Sequence, residues 1–167
     1  MLNSSMLNIR IAKLADLLSI TSIYNDAIAT TTATFDTEPK TLQEQKKWFS
    51  HHDKKHPILV AQLDNQVVGW VSISEWSDRC AYAGTGELSL YIDKKYQGKG
   101  YGRKLFEAIV AEGKKLGFHT VISRVAEGNE VSFHLHETLG FEMIGIMKEV
   151  GEKFGKRLDV HIFQKIY

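Results

Sequence analysis

Three glycines at alternate positions, with basic residues among them, are the most chemically informative feature of the sequence. They lie in the segment QGKGYGR at residues 97–103. Glycine suits a phosphate-binding turn because a Cβ would hold the phosphate away from the backbone N–H groups and would disfavour positive φ. Lys99 and Arg103 add positive charge at the rim. The segment therefore indicates an anion site, although a purely structural strand-to-helix turn also uses glycine.

The elements on either side of this segment fit the same interpretation. Alternating apolar and polar residues over Glu87–Ile92 predict a half-buried strand, with Leu88 and Leu90 on one face and Glu87 on the other. Apolar residues at helical spacing over Leu105–Leu116 predict a helix that ends at Gly117. A helix N-terminus has unpaired N–H groups and the positive end of the helix dipole, so a strand, a glycine turn and a helix form a phosphate site.

Two common nucleotide-binding motifs are excluded by spacing. A dinucleotide-binding turn would have glycine at position 103, where this chain has Arg103. A P-loop would have Ser or Thr after Gly-Lys, where this chain has Gly100. The segment is therefore interpreted as a pyrophosphate cradle of another kind.

Three segments in order resemble one enzyme superfamily. Residues 97–102 fit the pattern Gln/Arg-x-x-Gly-x-Gly/Ala; Thr85–Ile92 precedes them, and Asn129-x-x-Ser132-x-x-Leu135-His136-x-x-x-Gly140-Phe141 follows. Together they resemble the GCN5-related N-acetyltransferases (GNAT), in the branch of the phosphinothricin and methionine sulfoximine acetyltransferases. The resemblance extends from Ile9 to about Phe163.

The resemblance implies both a fold and an activity. The expected fold is α/β (α+β), with a mixed, mostly antiparallel sheet, helices on both faces and a splayed strand pair that holds the cofactor. The expected activity is acetyl-CoA-dependent N-acetylation of a small amino acid or analogue, such as phosphinothricin, methionine sulfoximine or methionine sulfone, by direct transfer in a ternary complex. Polyamine or aminoglycoside acetylation, which would favour an acidic pocket, and a non-catalytic acyl-CoA sensor remain as alternatives.

The cofactor contacts implied by the resemblance come from the glycine loop, from the backbone of the preceding strand and from a later helix. These residues are Gln97, Gly98, Lys99, Gly100, Tyr101, Gly102, Arg103, Leu90, Tyr91, Ile92, Asn129 and Ser132. The strand backbone would pair with the pantetheine amides, and one of its N–H groups would face the thioester oxygen. Asn129 is equally well placed as a helix N-cap.

Two residues are candidates for proton transfer. Glu87 could accept a proton from the attacking amine, as the relatives' glutamate does at the matching position, or it could be an exposed carboxylate paired with a lysine. His136 stands where the relatives carry histidine, and it could donate a proton to the departing thiolate or simply pack in its helix. Cys80 has no histidine beside it, so an acetyl-cysteine route is not supported.

Acceptor contacts are expected from two loops. Trp76, Arg79 and Tyr82 lie in the loop before the Glu87 strand, and an anionic amino acid needs a guanidinium fork and a desolvating wall. Phe35 lies in the loop over residues 30–39, where it either lines the acceptor pocket or plugs the core. The alternative for Trp76, Arg79 and Tyr82 is a surface loop that carries ordinary exposed aromatic residues.

The remaining patterns complete one α/β unit. Thr41-x-x-Glu44 is a capping box that opens a helix. The other expected elements are strands over 7–11, 58–61, 67–71, 120–125, 143–150 and 158–166, and helices over about 15–29 and from Asn129 to near Gly140. The resemblance also implies a homodimer, to which the hairpin around residues 151–156 would contribute.

Composition limits the classes of function. The chain has 167 residues, which suit a single domain over 1–167, with a ragged leader over residues 1–6. A net charge of +1 gives no global field for nucleic acid or an anionic membrane, and no apolar run approaches the roughly 20 residues of a membrane span. The single Cys80 and the absence of a secretory pattern favour the cytoplasm. No histidine spacing fits a metal site, so no metal is expected.

Overall fold

Seven strands and four helices make up the part of the chain that the computed structural model describes, residues 6–167. The expected leader, apart from Met6, lies outside the described residues. The elements are β1 (Leu7–Ile11), α1 (Leu17–Thr30), α2 (Leu42–Ser50), β2 (Ile58–Leu63), β3 (Gln66–Glu75), β4 (Thr85–Ile92), α3 (Tyr101–Lys115), β5 (Thr120–Ala126), α4 (Glu130–Thr138), β6 (Glu142–Lys153) and β7 (Lys156–Ile166).

All seven strands belong to one sheet, in the order β1-β2-β3-β4-β5-β7-β6. Neighbouring strands are antiparallel except β4 and β5, which are parallel. Helices cover both faces, so the predicted mixed, mostly antiparallel α/β fold is confirmed. Within residues 6–167, no helix combines the length and the apolarity that crossing a membrane requires.

The parallel pair β4 and β5 separates partway along its length. Thr85–Glu87 of β4 pairs with Thr120–Ile122 of β5, and the ladder stops there. The remainder of β4, from Leu88 to Ile92, pairs only with β3. This opening is the splayed strand pair that the family resemblance implies, and it lies directly before the glycine loop.

The two faces of the sheet have different cores. On one face, Leu105, Phe106 and Ile109 of α3 pack in a cluster that includes Leu88 of β4. On the other face, Ile20 and other residues of α1 pack with β2 and β3. The polar positions of β4, which include Glu87, belong to the α1 face because side chains alternate along a strand. The alternation predicted from the sequence is therefore confirmed.

Local sequence signals account for most element boundaries. Thr41 and Glu44 form the predicted capping box, in which the Glu44 N–H donates to Thr41 Oγ1 over 3.2 Å and the Thr41 N–H donates to Glu44 Oε2 over 2.7 Å. Asp64 and Asn65 have φ values of 47° and 67°, which are typical of the tight turn in a two-residue hairpin. The helix α1 begins later than predicted because residues 14–16 form a 3-10 turn.

Strand β3 is longer than the sequence predicts. The apolar pattern ends at Val71, but the strand continues to Glu75. Ser72 and Ser74 continue the alternation with side chains on the α2 side of the sheet, where they line a cavity. The predicted end of the strand at Val71 was wrong because the next residues on this face are polar and line a cavity, where the other strands pack against an apolar layer.

Candidate active site

The glycine loop forms an open cradle at the start of α3. Gly98 and Gly100 have φ values of 71° and 80°, in the left-handed region that L side chains rarely adopt. Gly100 is the N-cap of α3. No atom lies within 4 Å of the position that a Cβ would occupy at either glycine, so the space in front of the loop is free for a ligand.

Backbone donors face this cradle without partners. The N–H groups of residues 98–103 donate no hydrogen bond to any described residue, and the first amide of the helix that does is Lys104, which donates to the Gly100 carbonyl over 3.2 Å. These donors coincide with the positive end of the helix dipole. This arrangement suits an anion, and its binding of the acyl-CoA pyrophosphate stays a prediction.

The side chains of the loop have more varied roles than expected. Gln97 folds back, and its Nε2 donates to the Ile92 carbonyl over 3.1 Å, which fixes the loop to β4. The Lys99 ammonium lies 5.0 Å from the centre of the Tyr96 ring. Arg103 is exposed at the rim, and its Nε donates to Glu107 over 2.8 Å. Tyr101 packs against the α3 core cluster. The unpaired groups of the loop are therefore mainly backbone N–H groups, with Lys99 and Arg103 beside them.

The open edge of β4 offers backbone groups to a ligand. The Asp93 N–H donates to the Val68 carbonyl over 2.9 Å, so Asp93 directs its amide toward β3. Alternate residues of a strand direct their amides to the same side. Leu90 and Ile92 therefore face the opening toward β5, whereas the Tyr91 backbone is used by β3. The expectation that the Tyr91 backbone pairs with the cofactor is corrected by this register, and the Tyr91 side chain lies on the α1 face of the sheet.

Glu87 is held by an arginine that the sequence analysis missed. Glu87 Oε1 accepts a hydrogen bond from Arg124 Nε over 2.6 Å. The Glu87 side chain is 17% exposed and that of Arg124 is 52% exposed, so the carboxylate is the more protected partner. Arg124 lies on β5, two residues beyond the partner of Glu87 in the ladder. Its only sequence signal is a lone charged residue in an otherwise buried strand.

A cavity of about 360 Å³ adjoins Glu87 on the α1 face. Its floor comes from β3 and β4, with Ser74 directly opposite Glu87 in the ladder, and its roof comes from α2. The charged residues at its mouth are already engaged. Asp36 accepts the Tyr24 hydroxyl over 2.6 Å and pairs with Lys40 at 3.2 Å. Glu44, the second lining carboxylate, accepts the Thr41 N–H over 2.7 Å. Both carboxylates that line the cavity are therefore already hydrogen-bonded, and Lys40 is the one lysine or arginine among the described lining residues.

Of the predicted acceptor contacts in this loop, only Trp76 lies beside the arginine that pairs with Glu87. The Arg124 guanidinium lies 5.7 Å from the centre of the Trp76 ring. Arg79 and Tyr82 are exposed and do not line the cavity, and the guanidinium beside Glu87 is that of Arg124. The loop over residues 76–84 turns outward through a short 3-10 segment, which carries these two side chains away.

Phe35 packs against the C-terminal hairpin rather than lining the cavity. A Cβ added at Gly151 would overlap the Phe35 ring, so the two residues are in close contact. In the same loop, the Thr34 carbonyl accepts a hydrogen bond from Lys153 Nζ over 2.7 Å. Lys153 is buried, and burial lowers the pKa of its ammonium. These contacts tie the loop to the end of β6.

His136 has the surroundings of a packing residue. It is buried, with the rings of Phe106, Phe141 and Phe163 centred 4.7–5.1 Å from its own. Its Nδ1 donates to the Ser132 carbonyl over 2.7 Å, so the neutral ring leaves Nε2 without a proton. Burial lowers the pKa of the imidazole, which keeps it neutral. This geometry favours the packing interpretation over proton donation to a thiolate.

Asn129 and Ser132 hold the start of α4. Asn129 Oδ1 accepts the Ser132 N–H over 3.2 Å, which is the N-cap contact that the sequence also allowed. Ser132 Oγ lies 3.4 Å from His136 Nδ1. Within residues 6–167, no group of three or more His, Cys, Asp or Glu side chains could hold a metal ion.

A split, mostly antiparallel sheet with an unpaired strand edge and a glycine cradle at the helix start defines an acyl-CoA-dependent N-acyltransferase. The model for "Acetyltransferase (GNAT) domain" matches residues 9–162, and the chain belongs to this family. Acetyl-CoA is its cosubstrate, and the enzyme is an N-acetyltransferase.

Named relatives cover almost the whole chain. The L-methionine sulfoximine/L-methionine sulfone acetyltransferase of Pseudomonas aeruginosa is 38% identical over 94% of this chain and 92% of its own length. The L-amino acid N-acyltransferase MnaT of Escherichia coli is 33% identical over 95% and 92%. The structure of a phosphinothricin acetyltransferase from Sinorhizobium meliloti in complex with acetyl-CoA has a TM-score of 0.93 and 33% identity, covering 96% of this chain and 88% of that one.

Proposed function

We propose that this enzyme transfers an acetyl group from acetyl-CoA to the amino group of a small amino acid or analogue. Compounds of the phosphinothricin, methionine sulfoximine and methionine sulfone type are the first candidates, because the relatives are named for them. The observation that carries the proposal is the carboxylate of Glu87, which lies on the α1 face of the sheet, next to the opening between β4 and β5. Transfer is direct, within a ternary complex.

The cofactor side of the site is formed mainly by backbone groups. The N–H groups of residues 98–103 would bind the pyrophosphate, and Lys99 and Arg103 would neutralise its charge at the rim. The amides of Leu90 and Ile92 would pair with the pantetheine as a neighbouring strand does. An N–H group on this edge would stabilise the oxyanion that forms when the amine attacks the thioester.

Glu87 serves as the general base in this proposal. It accepts the proton that the amino group loses as the new C–N bond forms and the C–S bond breaks. The ion pair with Arg124 orients the carboxylate. No side chain is assigned to protonating the departing thiolate, because His136 is neutral and its only N–H already donates to the Ser132 carbonyl.

Arg124 also provides a binding point for the acceptor carboxylate. Its ion pair with Glu87 uses Nε, and no hydrogen bond links its two terminal nitrogens to another described residue. Those nitrogens are free for a second carboxylate beside the base. Trp76 packs near the guanidinium and supplies the desolvating wall.

The test is release of free thiol from acetyl-CoA across a panel of amino acids, polyamines and aminoglycosides. We expect turnover with amino acids, and Glu87→Gln should lower kcat at neutral pH by at least about 100-fold while the affinity for acetyl-CoA stays unchanged. Reaction with polyamines alone would contradict the proposed acceptor class. Tight acetyl-CoA binding with no turnover on the whole panel would favour the sensor alternative.

We also propose that the enzyme is a cytoplasmic homodimer. Strand β6 is an edge of the sheet, and it exposes apolar side chains that a second copy could cover: Met143, Ile144, Ile146, Met147 and Val150. The exposed free thiol of Cys80 suits a reducing compartment. Light scattering after gel filtration should give twice the chain mass, and Ile144→Lys should shift the protein toward a monomer.

A further inference from the structure

We propose that the Ser74 hydroxyl is a second hydrogen-bond acceptor for the attacking amino group, and that His52 is the positioning residue that orients this hydroxyl. The inference rests on the proposed function, because it places the amine between Ser74 and the base Glu87. It goes further by giving a role in the site to a histidine outside the cofactor cradle and outside the Glu87–Arg124 pair.

Ser74 and Glu87 are directly opposed on the same face of the sheet. They are partners in the antiparallel ladder between β3 and β4. The side chains of such a pair have Cβ atoms about 4.5–5.5 Å apart, so a small group between them can contact both. Ser74 is half-buried and lines the cavity that adjoins Glu87. An amine held at Glu87 is therefore within reach of the Ser74 hydroxyl.

The His52 ring is fixed in one tautomer by the end of α2. His52 lies two residues beyond this helix, and its Nδ1 is 3.0 Å from the Trp48 carbonyl oxygen. A carbonyl oxygen only accepts hydrogen bonds, so Nδ1 carries the ring hydrogen and the neutral ring has an unprotonated Nε2. The rings of Trp48 and His52 are centred 4.5 Å apart, which packs the imidazole against the helix.

This tautomer decides the direction of the contact between His52 and Ser74. His52 Nε2 lies 3.2 Å from Ser74 Oγ. Since the unprotonated Nε2 can only accept, the Ser74 hydroxyl donates its single hydrogen to the histidine. The lone pairs of the hydroxyl oxygen are then left for other donors, and no other described residue donates to Ser74 Oγ. Ser74 therefore faces the cavity as an acceptor.

An attacking amine needs such an acceptor. A neutral primary amine has two N–H groups besides the lone pair that attacks the thioester. Glu87 Oε1 accepts a hydrogen bond from Arg124, and no other described residue donates to Oε2, so this oxygen can take one N–H. Ser74 takes the second N–H. With both N–H groups held, the amine no longer rotates about its C–N bond, and its lone pair has a single direction.

Burial keeps His52 in the neutral form that this arrangement requires. It lowers the pKa of the imidazole, and the contact with the Trp48 carbonyl raises the pKa by a smaller amount. The ionisable groups around the ring come from its own segment and from the strands: His51, Asp53, His56, Glu87 and Arg124. Of these, the two histidines lower the pKa of His52 and Asp53 raises it, each less than burial does.

Protonation of His52 would reverse the arrangement. An imidazolium donates from both ring nitrogens, so Ser74 Oγ would accept from Nε2 and turn its own hydrogen toward the amine. The hydroxyl would then present a donor to a donor. The acceptor function of Ser74 is therefore lost as pH falls through the pKa of His52.

The first experiment measures kcat/KM for methionine sulfone at saturating acetyl-CoA. Ser74→Ala and His52→Phe should each lower it about 5- to 10-fold at about pH 7.5, with the KM for acetyl-CoA unchanged. Ser74→Thr keeps the hydroxyl, and His52→Gln keeps an acceptor oxygen, so both should retain the wild-type value within about threefold. An unchanged kcat/KM in Ser74→Ala would overturn the proposal.

A pH profile separates positioning from a merely structural effect. The ratio of kcat/KM in His52→Gln to that in the wild type cancels the titration of the amine and of Glu87. This ratio should be near 1 at about pH 7.5 and rise about threefold or more toward about pH 5, because only the wild type protonates at position 52. A ratio that stays flat would overturn the role of His52.

His51→Gln is the matched control for the pH profile. The Nδ1 of His51 contacts the Lys47 carbonyl at 2.7 Å, as His52 contacts Trp48, but His51 does not contact Ser74. The same ratio measured for His51→Gln should stay flat over this pH range. A rise equal to that of His52→Gln would contradict the assignment to His52.

A spectrum tests the tautomer without turnover. In ¹⁵N spectra of the histidine side chains at about pH 7.5, the His52 signals are identified by their loss in His52→Gln. We expect a protonated Nδ1 and an unprotonated Nε2. A hydrogen on Nε2 would overturn the orientation of Ser74, whatever the activity of the variants. Absence of turnover with every amino acid, despite the expected tautomer, would instead contradict the proposed function.

Discussion

Replacing Arg124 with methionine should weaken the binding of acceptors that carry a carboxylate. The change removes the guanidinium beside Glu87 but keeps a long side chain next to Trp76. A hydrogen bond to a charged group contributes about 1.5–3 kcal/mol, which corresponds to roughly 10- to 150-fold in a dissociation constant. Since Arg124 is 52% exposed, we expect the lower end, an increase of about 10-fold in the acceptor KM.

The assay is thiol release with two acceptors that differ only in the carboxylate: methionine sulfone and its decarboxylated amine. In Arg124→Met, the KM of the amino acid should rise, and that of the amine should change less than about twofold. The KM for acetyl-CoA should not change, because Arg124 is not part of the glycine cradle.

Arg79→Met is the matched control. Arg79 is exposed and forms no ion pair with a described residue, and the sequence alone had favoured it as the guanidinium fork. Its replacement should leave both acceptors unaffected. A raised KM in Arg79→Met, together with an unchanged KM in Arg124→Met, would refute the assignment of the carboxylate contact to Arg124.

Two further changes test the cradle and the histidine. Gly100→Ala should raise the KM for acetyl-CoA about 10-fold and destabilise the fold by about 1–2 kcal/mol, because a side chain is disfavoured at φ 80°. Gly117→Ala is the control, since Gly117 has φ 81° but lies past the other end of α3. It should show the same stability loss in denaturant unfolding and leave the KM for acetyl-CoA unchanged. His136→Phe should keep kcat within about threefold of the wild-type value. A larger fall in kcat would favour the interpretation of His136 as the proton donor to the thiolate. Burial lowers the pKa of His136 in the folded state, so the unfolded chain binds the extra proton first as pH falls. The free energy of unfolding of the wild type should therefore decline below the ordinary histidine pKa of about 6.5. The decline should be smaller in His136→Phe.

The sequence carried the features that depend on neighbouring residues. The glycine cradle, the alternation of β4, the capping box at Thr41 and the Asn129 cap all have local signals, and the structure agrees with each. Their physical basis is the conformational freedom of glycine and the satisfaction of nearby backbone donors. The family resemblance added the splayed pair of strands, for which no local pattern exists.

The missing parts of the site depend on register and on contacts between distant segments. Arg124 reaches Glu87 through a parallel pairing of strands that are separated by α3, and no spacing in the sequence reveals that ladder. The direction of the Tyr91 amide depends in the same way on the register of β4 with β3. Ser72 was missed because it is a polar residue directly after the apolar pattern that ends at Val71, although strand β3 continues through it to Glu75.

The contact between Lys153 and the Thr34 carbonyl joins segments that are 119 positions apart. Because Asp36 of the same loop lines the cavity beneath α2, one wall of that cavity is attached to the last residue of β6. Fraying of the terminal hairpin would therefore loosen this wall as well. We expect substitutions made in this hairpin for solubility or for labelling to change turnover as well, so such variants should be assayed for activity as well as for yield.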